Sequence, residues 1–97
     1  MRITPSEYIL ALARSFPCLR VKMLGWKRQE FDADLFHDMM RGWSTSERHA
    51  GLFILTVWNP HYARKRRWTF DLVDAVSSLD ADNREPILIW AQNPYYP

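Results

Sequence analysis

Apolar residues recur at helical spacing in the first part of the chain. The four that share one helical face, at positions i, i+3, i+4 and i+7, are Ile9, Leu12, Ala13 and Phe16. The preceding segment Thr4-Pro5-Ser6-Glu7 is a capping box with proline at the first helical position. Because Pro17 disfavours the α conformation in the residue before it, the pattern predicts a first helix that ends there.

The pattern of residues 18–30 is compatible with two structures. Leu19, Val21 and Met23 alternate with two cations, which is typical of a short half-buried strand over 19–23. The same run also fits one or two helical turns that begin at Pro17. Since Gly25 interrupts either structure, we treat this stretch as a connector.

A second helix is predicted over residues 33–41, with Asp32 as its N-cap. Phe31 before the cap and Phe36 within the helix form a hydrophobic staple. Four residues supply two adjoining apolar rows: Leu35, Phe36, Met39 and Met40. Gly42 is placed to end this helix.

A third helix, over residues 45–58, is predicted to be the central one. Ser44-Thr45-Ser46-Glu47 is a second capping box, and residues 52–58 are apolar on all sides, as in a buried helix. A buried strand over 52–58 is the alternative, because short apolar runs are ambiguous by periodicity. The pair Asn59-Pro60 ends the element in either case.

Two further helices are predicted in the last third of the chain. Residues 59–68 are expected to form a loop, after which Thr69 caps a helix over 70–79. That helix would bury one face, with Trp68 and Val73 as a staple; the face consists of Phe70, Val73, Val76 and Leu79.

The last helix is expected to begin at the capping-box pattern Asp82-Asn83-Arg84-Glu85, with Pro86 in its first turn. Residues 87–91 form its apolar body, and Asn93-Pro94 ends it.

These elements predict an all-α fold: a compact globular array of four to five short helices in a single domain, residues 1–97. The alternative is an α+β fold with strands at 19–23 and 52–58. At 47% apolar and 14% aromatic residues, the chain has enough large side chains for one core.

Composition restricts the classes of site. The lone Cys18 excludes an internal disulfide and a cysteine-based zinc site. The first residues lack the apolar region of a signal peptide, and the longest apolar run, 52–58, is shorter than the roughly 20 residues of a membrane span. We therefore expect a cytoplasmic protein with no membrane partner.

No catalytic or metal-binding arrangement is evident in the sequence. The three histidines are spaced 12 residues apart, so no pair lies at i, i+4 on a helix. Asp34 and His37 share a helix face, but one such pair is a weak metal signal. Gly-rich phosphate loops are also missing. We expect no enzyme activity, no cofactor, no metal and no small-molecule substrate.

The net charge of +2 is small, but charges of one sign occur in blocks. Residues 1–28 hold six Lys or Arg against one acid, residues 30–38 hold four acids, and residues 71–85 hold five acids against Arg84. In a compact fold such blocks commonly neutralise one another across the surface.

The most distinctive segment is Arg64-Lys65-Arg66-Arg67-Trp68, which we call the basic cluster. Its four consecutive cations repel one another, which favours exposure to solvent. They could serve as a landing site for phosphate or for an acidic protein surface, with Tyr62 and Trp68 as flanking rings. Alternatively, they pair with Asp71 and Asp74, or with the acidic block 30–38.

The sequence therefore favours a non-catalytic protein-interaction module, which binds a partner protein or a second copy of itself. The alternative is weak, non-specific nucleic-acid binding through residues 64–68. The candidate partner-binding residues are Tyr62, Arg64, Lys65, Arg66, Arg67, Trp68, Tyr95 and Tyr96.

Overall fold

Capping side chains and prolines mark most helix boundaries of this chain. The computed structural model describes residues 3–97. Its helices, numbered in chain order, are α1 (Pro5–Arg14), α2 (Pro17–Met23), α3 (Ala33–Met39), α4 (Thr45–Trp58), α5 (Pro60–Lys65), α6 (Leu72–Ser78) and α7 (Ala81–Gln92). Within residues 3–97 there is no strand, so the all-α prediction is confirmed and the α+β alternative is wrong. The predicted number of four to five helices is too low, because seven are present in this range.

Both predicted capping boxes at the starts of α1 and α4 are formed. The Glu7 amide donates to Thr4 Oγ1 at 3.1 Å, and the Thr4 amide donates to Glu7 Oε1 at 3.0 Å. The same exchange joins Ser44 and Glu47, at 3.2 and 2.8 Å. Asp32 caps α3 by accepting from the Leu35 amide at 3.1 Å. These bonds satisfy amides that a helix start otherwise leaves without partners.

The stretch from Pro17 is helical, which confirms the alternative of one or two helical turns that begin at Pro17. The strand over 19–23 is wrong, and only the part of 18–30 that follows α2 is a connector. Leu19 and Met23, four residues apart, are both buried, whereas Val21 between them is 75% exposed. Burial at i, i+4 is the periodicity of a helix face. The alternation of apolar and basic residues was therefore a coincidence of composition.

The expected loop over 59–68 is also wrong, because it contains α5. Asn59 ends α4 through its amide, which donates to the Leu55 carbonyl at 3.2 Å. The Asn59 side chain then caps α5, since its Oδ1 accepts from the Tyr62 amide at 3.0 Å. Pro60 occupies the first position of α5, where the missing N–H costs nothing. One Asn-Pro pair thus both ends a helix and begins the next.

Helix α6 begins later than predicted and buries a different face. Asp71, not Thr69, is its N-cap, and its Oδ1 accepts from the Asp74 amide at 2.9 Å. The helix buries Ala75, and Leu79 is buried just after its last turn, whereas Val73 is 75% exposed. The predicted staple between Trp68 and Val73 is therefore wrong.

Helix α7 begins two residues earlier than predicted. Its N-cap is Asp80 instead of Asp82, so Pro86 lies inside the helix rather than in its first turn. The Asp80 side chain accepts from both the backbone and the side-chain amide of Asn83, at 3.0 and 2.8 Å. Asn83 Oδ1 in turn accepts from the Cys18 amide at 2.8 Å. Helix α2 has no side-chain cap of its own, so a side chain of α7 supplies it.

The core surrounds α4, as predicted. Helices α1, α2, α3, α5 and α6 all pack against it. Phe53, Ile54, Leu55 and Val57 of α4 are almost completely buried. At the α3 side, Phe36 lies among the rings of Trp26, Phe31 and Trp43. Close aromatic pairs of this kind add stability beyond the area they bury.

None of the helices in residues 3–97 combines the length and apolarity that crossing a membrane requires.

Candidate functional site

The basic cluster lies at the C-terminal end of α5. The side chains of Arg64, Lys65, Arg66 and Arg67 are exposed. Trp68, the fifth member, is only 7% exposed and belongs to the core. The cluster is therefore a row of exposed cations anchored by a buried ring.

The turn that ends α5 is fixed by backbone hydrogen bonds. The Trp68 amide donates to the Ala63 carbonyl at 2.8 Å, and the Arg67 amide donates to the Arg64 carbonyl at 3.1 Å. This is the hydrogen-bond pattern of a Schellman motif. Arg67 occupies its left-handed position, with φ of 61°. The exposed cations are thus carried by a well-defined turn.

Glycine would fit the position of Arg67 better than arginine. A residue with a side chain in the left-handed region costs about 1–2 kcal/mol, and glycine avoids this cost. Part of the gain is lost, because glycine makes the unfolded chain more flexible. We expect Arg67→Gly to raise the free energy of unfolding by about 1 kcal/mol, measured by urea denaturation. Lys65→Gly, which removes the same charge from the helical part of α5, is the control. It should lower stability by about 1 kcal/mol; stabilisation by both variants would contradict the explanation.

Arg66 is held by the fold. Its Nη1 lies 3.6 Å from Asp34 Oδ1, and its guanidinium carbon lies 5.1 Å from the centre of the Trp68 ring. The Tyr62 hydroxyl donates to the same carboxylate, 3.0 Å from each oxygen. This hydrogen bond to Asp34 raises the pKa of Tyr62, so the hydroxyl stays protonated. Pairing with the acidic block 30–38 thus occurs, through a single arginine.

The other three cations have no such partner. Within residues 3–97, Arg64, Lys65 and Arg67 form no ion pair. Pairing of the cluster with Asp71 or Asp74 is likewise absent from this part of the chain. The side chain of Asp71 instead caps α6. Three cations are therefore available to bind an external anionic group.

The aromatic residues of the cluster are engaged inside the protein. The Trp68 ring stacks on His37 at 4.6 Å, with 17° between the planes, and meets the Tyr62 ring edge-on at 5.5 Å. These ring contacts leave little surface of Trp68 and Tyr62 for stacking on a ligand.

Burial lowers the pKa of His37. Asp38 raises this pKa, whereas the nearby Arg66, Arg48 and Arg41 lower it further.

The lowered pKa of His37 predicts a loss of stability in mild acid. The imidazole of His37 binds a proton more readily in the unfolded chain than in the folded protein. The stability that neutral His37 contributes is therefore fully present above about pH 6.5 and is lost as the pH falls through the folded-state pKa. We expect the urea midpoint to fall between about pH 7.5 and about pH 5, and to fall less in His37→Gln. The three carboxyls with lowered pKa values, Glu7, Asp32 and Asp80, titrate below this window.

The exposed His61 provides the control for this experiment. His61→Gln should keep the pH dependence of the natural protein. An unchanged dependence in His37→Gln would show that another group causes it.

Tyr95 and Tyr96 belong to another region. The Tyr95 ring packs edge-on against Tyr8 at 4.9 Å, and its carbonyl accepts from Trp90 Nε1 at 3.0 Å. Tyr96 packs against Trp90 at 5.3 Å. Tyr8 and Trp90 line an open groove of about 750 Å³ between α1 and α7. The structure therefore separates these two candidates from the basic cluster.

Sequence reasoning missed three sets of exposed apolar residues, one of which is the pair Leu88 and Ile89 of α7, 58% and 59% exposed. On α2 and at its C-cap, Val21 and Leu24 are 75% and 70% exposed. On α6, Leu72, Val73 and Val76 are 55%, 75% and 39% exposed. The sequence gives no clear signal for the sets on α2 and α6, because residues 18–30 fit two structures and the spacing within 70–79 places Val73 and Val76 on the predicted buried face.

In residues 3–97, no group of three or more His, Cys, Asp or Glu side chains is placed to hold a metal ion. Cys18 is free and partly buried, and burial raises the pKa of its thiol to about 11. Since the thiolate is the nucleophile, this cysteine is a poor one at neutral pH.

Comparison of the chain with protein-family models, with curated proteins and with solved structures finds no match.

Proposed function

We propose that this protein is a non-catalytic interaction module, in which Arg64, Lys65 and Arg67 bind an acidic surface of a partner protein. The observation that supports the proposal is that these cations are exposed and have no ion-pair partner. All three are exposed, Arg64 and Lys65 at the end of α5 and Arg67 in the hydrogen-bonded turn that follows, and none forms an ion pair within residues 3–97. A fixed row of positive charge suits electrostatic recognition, which contributes mainly to specificity and association rate.

The arrangement favours a protein partner over nucleic acid. Single-stranded nucleic acid is bound by combining cations with rings that stack on bases. Here Trp68 is 7% exposed and contacts His37, Tyr62 and Arg66. With Arg66 paired to Asp34, three cations remain for phosphate contacts. Binding to duplex DNA through these three would have a log–log salt slope of only about −2.7.

The test compares two triple variants. The cluster variant is Arg64→Glu/Lys65→Glu/Arg67→Glu, and the control with the same charge change is Arg14→Glu/Lys27→Glu/Arg28→Glu, at exposed positions that are not among the charges acting on His37 beside the cluster. Immobilised natural protein, cluster variant and control are each incubated with nuclease-treated lysate, and the captured proteins are identified by mass spectrometry. The affinity of each form for a duplex DNA is measured in parallel at several salt concentrations.

We expect a protein that the natural form and the control retain and the cluster variant loses, with similar weak DNA binding by both variants. The proposal is overturned if no captured protein distinguishes the two variants. It is also overturned, in favour of nucleic acid, if DNA binding falls steeply with salt and is lost in the cluster variant alone.

The location that we propose is the cytoplasm. A single free cysteine suits a reducing compartment, because no disulfide is needed to stabilise the fold.

A further inference from the structure

Helix α2 and the residue that follows it present exposed apolar side chains next to positive charges, and we call this surface the α2 face. Val21 and Leu24 are its apolar residues, at 75% and 70% exposure. Leu24 lines a shallow hollow of about 450 Å³ together with Arg14 and Arg20. Arg20 Nε donates to the Arg14 carbonyl at 3.4 Å, which holds that guanidinium at the hollow. The exposed Lys27 adds a third cation just beyond the helix.

Helix α6 presents the opposite combination, which we call the α6 face. Leu72, Val73 and Val76 are its exposed apolar residues. Asp71 and Asp74 are exposed at its N-terminal end, and neither forms an ion pair within residues 3–97. Buried residues Ala75 and Leu79 attach this helix to the core and leave its outer side uncovered.

We propose that the α2 face of one copy of this chain binds the α6 face of a second copy. Each face joins exposed branched apolar side chains to charges of one sign, and the two signs are opposite. Pairing α2 with α2, or α6 with α6, would place like charges together, which opposes association. Val21 and Val73 are each 75% exposed in the same molecule, so neither face covers the other within one chain.

This arrangement is heterologous, because two different surfaces meet. A pair of copies therefore keeps one free α6 face on the first copy and one free α2 face on the second, and association continues into a ring or an open chain. With only a few apolar side chains on each face, the contact is small, and small interfaces are weak and transient. The interaction is thus expected to depend strongly on protein concentration.

The experiment uses two variants that each block one face, Leu24→Glu on the α2 face and Val73→Lys on the α6 face. The mass of the natural protein is measured by sedimentation from about 10 µM to about 1 mM. We expect its average mass to rise above the 11.6 kDa of one chain. Each variant alone should associate at least about tenfold more weakly. An equimolar mixture of the two should form one-to-one pairs with twice the mass of one chain, because the intact α6 face of one variant binds the intact α2 face of the other and no face remains for further growth.

The control is Leu88→Lys, at a 58% exposed residue of α7, which should associate like the natural protein. Circular dichroism confirms that every variant is folded. A natural protein that stays monomeric overturns the proposal, as does a single variant that associates as strongly as the natural protein or a mixture that remains monomeric. The cluster variant of residues 64, 65 and 67 should still self-associate, so this result is independent of the function proposed above.

Discussion

Replacing Phe36 with alanine is expected to lower the free energy of unfolding by about 3–5 kcal/mol. Phe36 is fully buried, and its ring centre lies 5.2 Å from that of Phe31, 5.7 Å from Trp43 and 6.2 Å from Trp26. Truncation removes these contacts and leaves a cavity that large neighbouring rings cannot fill by small movements. Urea denaturation followed by circular dichroism measures the change.

The neighbouring residue of α3 provides the control. Leu35 is 38% exposed, so Leu35→Ala should cost clearly less than Phe36→Ala while changing the same helix. Since the free energy of unfolding of small domains is about 5–15 kcal/mol in total, the Phe36→Ala variant would lose much of its stability. Equal costs for the two variants would contradict the placement of Phe36 at the centre of the aromatic group.

Replacing Asn83 with alanine is expected to cost about 1–3 kcal/mol. The Asn83 side chain accepts from the Cys18 amide at 2.8 Å and donates to Asp80 at 2.8 Å, and the residue is only 8% exposed. Alanine leaves the Cys18 amide without its partner at the start of α2. The loss should appear in urea denaturation and as faster hydrogen exchange of that amide.

Two further variants separate the roles of Asn83. Asn83→Asp keeps the oxygen that accepts from Cys18 but loses the donor to Asp80 and places two carboxylates together, so it should also destabilise near neutral pH. Asn93→Ala, at an exposed asparagine after α7, should have little effect. A fast-exchanging Cys18 amide in the natural protein would contradict the role of Asn83 as a cap for α2.

The proposed binding surface depends on the same long-range packing. Trp68 is buried against His37 of α3, and this contact together with the Asp34–Arg66 pair attaches the end of α5 to α3. The free cations are therefore presented by a turn whose position is set by the fold. Weakening the aromatic packing around α3 would also loosen this surface.

The sequence by itself determined the local parts of this structure. The capping boxes at Thr4 and Ser44 and the cap at Asp32 involve partners three residues apart, so the chain order alone specifies them. The apolar run 52–58, following a capping box, was sufficient to identify α4 as the buried central helix. The exposure of four consecutive cations also followed from their mutual repulsion.

The tertiary structure alone decided the rest, because it depends on which surfaces meet. Asn83 caps a helix 65 residues away, and Asp34 holds a tyrosine 28 residues away; periodicity carries no record of such pairs. The spacing of Val73 predicts a position in the core. However, α6 packs against α4 and buries Ala75, so Val73 faces outward. Trp68 was expected at the binding surface, but stacking on His37 buried it. Local bonds specify where most of these helices begin, whereas the exposure of a side chain is settled only when the helices pack.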